Sequence, residues 1–192
     1  MKRQLVLAAG LAALAACNKG PDINLKNASV GEVAEQVRDA GGAGFIEPGR
    51  WETKVTVLDI DMPGMPPQMA GQMKQAMGKM QEHSFASCLS EADVKKPSEK
   101  FFAGKNNNCR YDHFTMSGGT IDALMRCEGK SSGTMTMAMK GTYSATSYEA
   151  TSAMEVSGGP NGGVMKMKSR SEAHRVGACK GDEINAEANS GK

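Results

Sequence analysis

Residues 133–157 read GTMTMAMKGTYSATSYEATSAMEVS, and this stretch decides the fold. Met135, Met137 and Met139 alternate with Thr134, Thr136 and Ala138, so one face of the extended chain is apolar and the other small or polar. A period of two marks a half-buried β-strand, because successive side chains leave opposite faces of the pleat. Residues 133–143 and 147–157 are therefore read as two strands around a short turn at 144–146.

The same period continues in both directions. Downstream, the turn GGPNGG at 158–163 leads into a strand from 164 toward 175. Upstream, 110–116 and 120–127 flank Ser117-Gly118-Gly119, a hairpin signal. Residues 83–89 form a short strand, and Ser90 and Asp93 suit the start of a helical turn at 90–94. Residues 95–108 read as a long loop, and WETKVTVLDI at 51–60 as a further strand. About seven strands joined mostly in sequence make an antiparallel meander, which must close or fold over to manage its edges. The expectation is a mainly β domain forming a barrel or half-barrel.

Two segments carry the helical period instead. Ser29 stands three residues before Glu32, a capping-box start, and Val30, Val33, Ala34 and Val37 follow as one apolar stripe. A short amphipathic helix over 29–41 is predicted, ended by Gly41, Gly42 and Gly44. The second segment contains Met62, Met65, Met69, Met73, Met77 and Met80 at spacings of 3, 4, 4, 4 and 3, one face of a helix. Pro63, Pro66 and Pro67 keep its beginning extended, so a helix from about 68 to 80 is predicted, packed over the barrel mouth or open edge.

The chain opens with Met-Lys-Arg-Gln and an apolar run over 5–16. That run is shorter than the ~20 apolar residues a membrane span needs, and reads as a secretory signal peptide. Its end, Leu14-Ala15-Ala16-Cys17, resembles a bacterial lipobox. The resemblance implies cleavage after Ala16 and acylation of Cys17, which would anchor the protein in a membrane of the bacterial envelope, facing the periplasm. In enteric bacteria an Asp after the anchor favours the inner membrane, so Asn18 points to the outer one. The expected divisions are a signal peptide at 1–16, a lipidated tether at 17–28, the helix at 29–41, a β-rich domain at 46–180 and a disordered tail at 181–192. Lys2 and Arg3 leave with the signal, and the remaining 21 basic side chains match the 21 acidic ones. A neutral chain without a basic block argues against nucleic acid as a partner.

Setting Cys17 aside leaves Cys88, Cys109, Cys127 and Cys179, an even set in an oxidising compartment, which predicts two disulfides. The expected pairing joins Cys88 to Cys109 and Cys127 to Cys179. The alternative joins Cys109 to Cys127 across the hairpin and leaves Cys88 for Cys179. With no C-x-x-C pair, a zinc site is not predicted.

Ordered motifs then point to a family. Pro-Gly-Arg-Trp-Glu at 48–52, Met-Pro-Gly-Met-Pro at 62–66 and Cys88-Leu89-Ser90-Glu91 come first. Cys109, Ser117-Gly118, Cys127, Gly141-Thr142-Tyr143 and Arg175-Val176-Gly177-Ala178-Cys179 follow. From Pro48 to Cys179 the chain resembles the proteobacterial domain-of-unknown-function family numbered 3617, whose members are often exported or lipidated. The resemblance implies a β-rich, disulfide-bonded envelope domain and no particular activity.

For function, methionine is the prominent signal, with 14 of 15 remaining after signal removal. Thioethers are soft ligands suited to Cu(I) or Ag(I), but Met is also a flexible core filler and an adaptable apolar surface. Leu, Ile and Phe are scarce, so packing is the simpler account. The ligand-binding candidates are Met69, Met73, Met77, Met80, Met135, Met137 and Met139, and the occupant is a small apolar molecule or an envelope protein. Soft-metal binding and a purely structural envelope role are the alternatives. His83, His113 and His174 are scattered, no Gly-x-Ser-x-Gly elbow or phosphate loop is present, and Asp59 and Asp61 read as solvated. No catalytic residue, resident metal or cofactor is predicted, and the chain is not read as an enzyme.

Overall fold

The computed structural model describes residues 20–40, 45–78, 82–97, 99, 102, 108–129, 133–158 and 163–185. The signal segment, Cys17, Met80, most of the 95–108 loop and the centre of the GGPNGG turn lie outside them. The described residues fold into one sheet in the order β1-β4-β5-β6-β7-β8-β2-β3-β9, with three small helices among them. The strands are β1 (Ile23–Ser29), β2 (Gly49–Asp61), β3 (Glu82–Leu89), β4 (Cys109–Ser117), β5 (Thr120–Glu128), β6 (Thr134–Tyr143), β7 (Ser147–Ser157), β8 (Val164–Gly177) and the two-residue β9 (Ile184–Asn185). Eight strands are antiparallel to their neighbours, and β9 alone pairs in parallel, along the outer edge of β3. The sheet is open, with β1 and β9 at opposite ends. A closed barrel is therefore not formed. All seven strands anticipated by alternation are present.

Strands β4 to β8 are the meander, each paired to the next in sequence. The β2–β3 hairpin joins it from the far side, because β2 pairs along nearly its whole length with β8, from Arg50 opposite Gly177 to Asp61 opposite Lys166. Gly49 makes this junction possible. Its φ of 138° is foreign to L side chains, and a Cβ there would run into the Gly177 carbonyl oxygen. Arg175 Nε donates to the Pro48 carbonyl at 2.7 Å, and Trp51 Nε1 donates to the Glu47 carbonyl at 3.0 Å. The Pro-Gly-Arg-Trp and Arg-Val-Gly motifs thus meet as one structural joint.

The stretch expected to be tether holds the edge strand β1, paired to β4 from Ile23 opposite Met116 to Ser29 opposite Arg110. Its pattern hid it. Asn27 has φ 50°, so the inward residues Ile23, Leu25 and Ala28 are not evenly spaced. Helix α1 (Val30–Asp39) follows directly, closed by the anticipated box: Ser29 Oγ accepts from Glu32 N at 3.2 Å, and Ser29 N donates to Glu32 Oε2 at 2.6 Å. Its stripe, Val30, Val33 and Val37, packs into the core with Phe114, Tyr111 and Met125. The helix is part of the core and not an appendage.

The disulfides are Cys109–Cys127 and Cys88–Cys179, the reverse of the expected pairing. The expectation assumed that β3 lies beside β4, its neighbour in sequence. Instead β3 stands beyond β2, and the β4–β5 register sets Cys109 directly opposite Cys127, with Cα atoms 4.0 Å apart. The chain after β8 returns along β3 and brings Cys179 to Cys88. Closing loops of 18 and 91 residues stabilises by about 3 and 4.5 kcal/mol through the unfolded chain.

The first residues of the stretch expected to be disordered are held as well. Arg50 Nη1 donates to Asp182 at 2.6 Å and to Glu183 at 2.8 Å, and the Glu183 carboxylate also accepts from the N–H groups of Lys180 and Gly181.

The Met-rich helix α2 (Pro67–Gly78) forms over the described part of the predicted span, residues 79 and 80 lying outside the described residues, and α3 (Glu91–Lys95) carries the Ser90–Asp93 box. Among the described residues α2 makes no extensive contact with any other element, and Met69 is 59 % exposed.

Gly141 stands mid-strand, opposite Ala150, where a Cβ would run into the Glu149 carbonyl oxygen and lie 2.7 Å from Ala150 Cβ. Gly141→Ala should lower stability by about 1–3 kcal/mol as overpacking forces β6 and β7 apart. A urea midpoint within error of the parent would contradict this. The carboxyl of Glu183 is held at about 2, first by the Lys180 N–H and then by Arg50 and the Gly181 N–H, against its burial. Its ordinary value is 4.5, so the stability these contacts of Glu183 contribute is complete above that pH and lost as pH falls toward 2. Amide resonances of Lys180 and Gly181 should hold still down to pH 4.5 and then move together; a midpoint near the ordinary value refutes the assignment.

Candidate functional site

Strand register puts every strand methionine on one face of the sheet. Met125, Met137, Met154 and Met167 stand opposite one another across β5, β6, β7 and β8. Met135 shares a row with Cys127, Val156 and Met165, Met139 with Ala123 and Ser152, and Met116 with Ile121. The opposite face carries the charges: Asp122 with His113 at 3.0 Å and Lys140 at 2.9 Å, Arg126 with Asp112 at 2.7 Å, and Lys166 with Glu155 at 3.4 Å. The bulge at Asp112 lets Tyr111 and Phe114, three residues apart, point to the same inner face.

Over the inner face at the β1–β4–β5 end, α1 seals the core. Beyond it the same face borders a cavity of about 420 Å³, a size common for small-ligand sites. Strands from β4 to β3 all contribute to its wall, through Tyr111, Ile121, Met137, Tyr148, Ala173, Trp51 and Ser87. Phe45, Ile46 and Phe102 add to it from outside the strands. Seven of the nine aromatic residues in the chain line this one space. Aromatic contacts brace it, with Phe45 against Tyr143 at 5.0 Å, Tyr111 against Phe114 at 5.2 Å and Phe102 against Phe114 at 6.1 Å, all edge-on.

Its polar groups are few. Burial pushes the Tyr111 hydroxyl up to about 12, and that hydroxyl donates to the Phe102 carbonyl at 2.9 Å. Tyr148 Oη donates to Met139 Sδ at 3.3 Å, a weak acceptor, and burial raises its pKa. The Tyr143 hydroxyl is buried with no acceptor for its proton among the described residues; burial raises its pKa, and the nearby Gly119 N–H partly offsets that rise. A wall that is aromatic and thioether-rich, with under-used tyrosine hydroxyls, suits an apolar molecule bearing one acceptor.

Of the methionines singled out from sequence, Met137 and Met139 line the cavity and Met135 packs beside the core. Met69 is exposed on α2, far from being gathered with them; the side chains of Met73 and Met77 and the whole of Met80 lie outside the description. The tyrosines and Trp51 were not anticipated as site residues. Their signal was present as scarcity: a chain only 5 % aromatic places most of its rings in one place once the strands are registered. His83, His113 and His174 fall on three different strands. Among the described residues no three His, Cys, Asp or Glu side chains are grouped to hold a metal ion, and no helix is long and apolar enough to cross a membrane. Asp59 and Asp61 lie past the end of β3, opposite Lys168 and Lys166.

An unpaired buried hydroxyl costs about 1–3 kcal/mol. Tyr143→Phe should therefore raise the thermal stability of the unliganded protein, and a lowered melting temperature would show that the hydroxyl is satisfied.

A family described as protein of unknown function (DUF3617) matches residues 46–179 of this chain. No curated protein and no solved structure matches it.

Proposed function

This chain belongs to the DUF3617 family, and on that premise we propose that it is a lipid-anchored envelope protein whose β-domain binds a small apolar ligand and does no chemistry on it. The observation that carries this reading is the concentration of seven aromatic rings around one cavity of about 420 Å³. A half-barrel is the matching shape for the sheet. Neighbouring strands are about 4.8 Å apart, so β4 and β3, six steps apart, would be separated by roughly 29 Å if the sheet were flat. Both contribute to the same cavity wall, which supports strong curvature. Small inner-face residues, Gly141, Ala150, Ser152, Ser169 and Ser171, leave room for it at the centre of the sheet.

Anchoring at Cys17 would set the protein in the bacterial envelope, and the export signal with its lipobox ending supports that address. The soft-metal reading has less support. Its strongest sequence feature was the α2 methionine face, and Met69 of that face stands exposed and apart from the methionines of β6.

Trp51 is the only tryptophan and lines the cavity, so it reports occupancy. Titration with oleate should change its emission saturably. Ala173→Phe, which fills the wall from β8, should weaken that response by about tenfold or more. Identical titrations of parent and variant would refute binding in this cavity.

A further inference from the structure

The chain enters the described fold beside the cavity. Gly20 lies against the Tyr143 ring: a methyl on it would sit 3.4 Å from the hydroxyl oxygen and 3.7 Å from the ring edge. Tyr143 is itself a wall residue of the cavity. Pro21 and Ile23 are buried next to it, so the point at which the chain departs toward Cys17 is set by packing. Cys17 is three positions before Gly20, and an extended chain advances at most about 3.6 Å per residue. Cys17 therefore stays within about 11 Å of Gly20 in any conformation.

We propose that the cavity receives one acyl chain of the protein's own anchor on Cys17. The inference rests on the reading that Cys17 is lipidated and that the cavity takes an apolar ligand. A short tether makes insertion intramolecular, at an effective concentration in the millimolar range, which a free fatty acid would have to exceed to compete. The volume, about 420 Å³, suits a single chain and leaves the others for the bilayer. Leaving the bilayer for this wall exchanges one apolar surrounding for another. The buried Tyr143 hydroxyl, whose proton has no acceptor among the described residues, can donate to the ester carbonyl that heads the chain. Insertion thus offers one function for the site: it shields an acyl chain and holds the domain down on the membrane at its Tyr143 end.

The test uses Trp51 and a dibrominated stearate, whose bromines quench a tryptophan they touch. Two proteins are compared in the same detergent: the mature lipidated chain, its acylation verified by intact mass, and the mature chain from residue 17 carrying Cys17→Ser. The expected result is saturable quenching of the Cys17→Ser protein and a midpoint at least tenfold higher for the lipidated one. Equal midpoints overturn self-insertion and leave the apolar-ligand reading standing. Absence of quenching in both overturns the two together. An intact mass without acyl chains overturns self-insertion alone, since quenching of the unlipidated protein still reports on the cavity. As a second measurement, alkaline release of the ester-linked chains from the lipidated protein should lower its midpoint toward that of Cys17→Ser, and no change on release counts against the proposal.

Discussion

The pairing of β2 with β8 is the interaction on which the rest of this structure depends. Without it the chain would be a five-stranded meander extended by β1, and a separate two-stranded hairpin. An isolated hairpin is at best marginally stable in water. The pairing joins residues more than a hundred positions apart, so its loop-closure cost must be offset by a long ladder and a close junction. Gly49 passing under the Gly177 carbonyl, Arg175 on the Pro48 carbonyl and the Cys88–Cys179 bond all lie at that junction. Three of the motifs that carry the family resemblance, Pro-Gly-Arg-Trp, Cys88-Leu89 and Arg175 to Cys179, meet there, and backbone geometry accounts for their residue types.

Once β2 is in place, one face of a nine-stranded sheet acquires an inside. Alternation had already sorted the side chains, so every strand methionine and most of the aromatic rings arrive on that face together. At one end α1 fills the space above it with Val30, Val33 and Val37. Beyond α1 the same face borders the cavity. The same asymmetry explains why the outer face can afford ion pairs such as His113–Asp122 and Arg126–Asp112. They are solvated and contribute little to stability.

Local structure was largely legible in the residues. The period of two located seven strands because it is a property of neighbouring side chains, and the two capping boxes, Ser29–Glu32 and Ser90–Asp93, depend on residues three apart. The misreadings have long-range causes. Strand β1 was missed because Asn27, in a left-handed conformation, interrupts its alternation. The disulfides were paired by sequence adjacency, whereas β3 is carried to the far edge by its partner β2. The methionine helix had the right period, but a helical period says nothing about which surface will meet it, and the described residues of α2 meet none closely.

By itself, the sequence determined the mainly antiparallel β character, the alternating faces, the two helix starts and the even set of four cysteines. Each follows from interactions within a few residues or from simple counting. The tertiary structure alone decided the strand order, the cysteine partners and the gathering of Trp51, Tyr143, Tyr148 and Met139 around one cavity. Those outcomes depend on which strand finds which neighbour, and that choice is made by the β2–β8 ladder between segments too far apart in the chain for any local pattern to record.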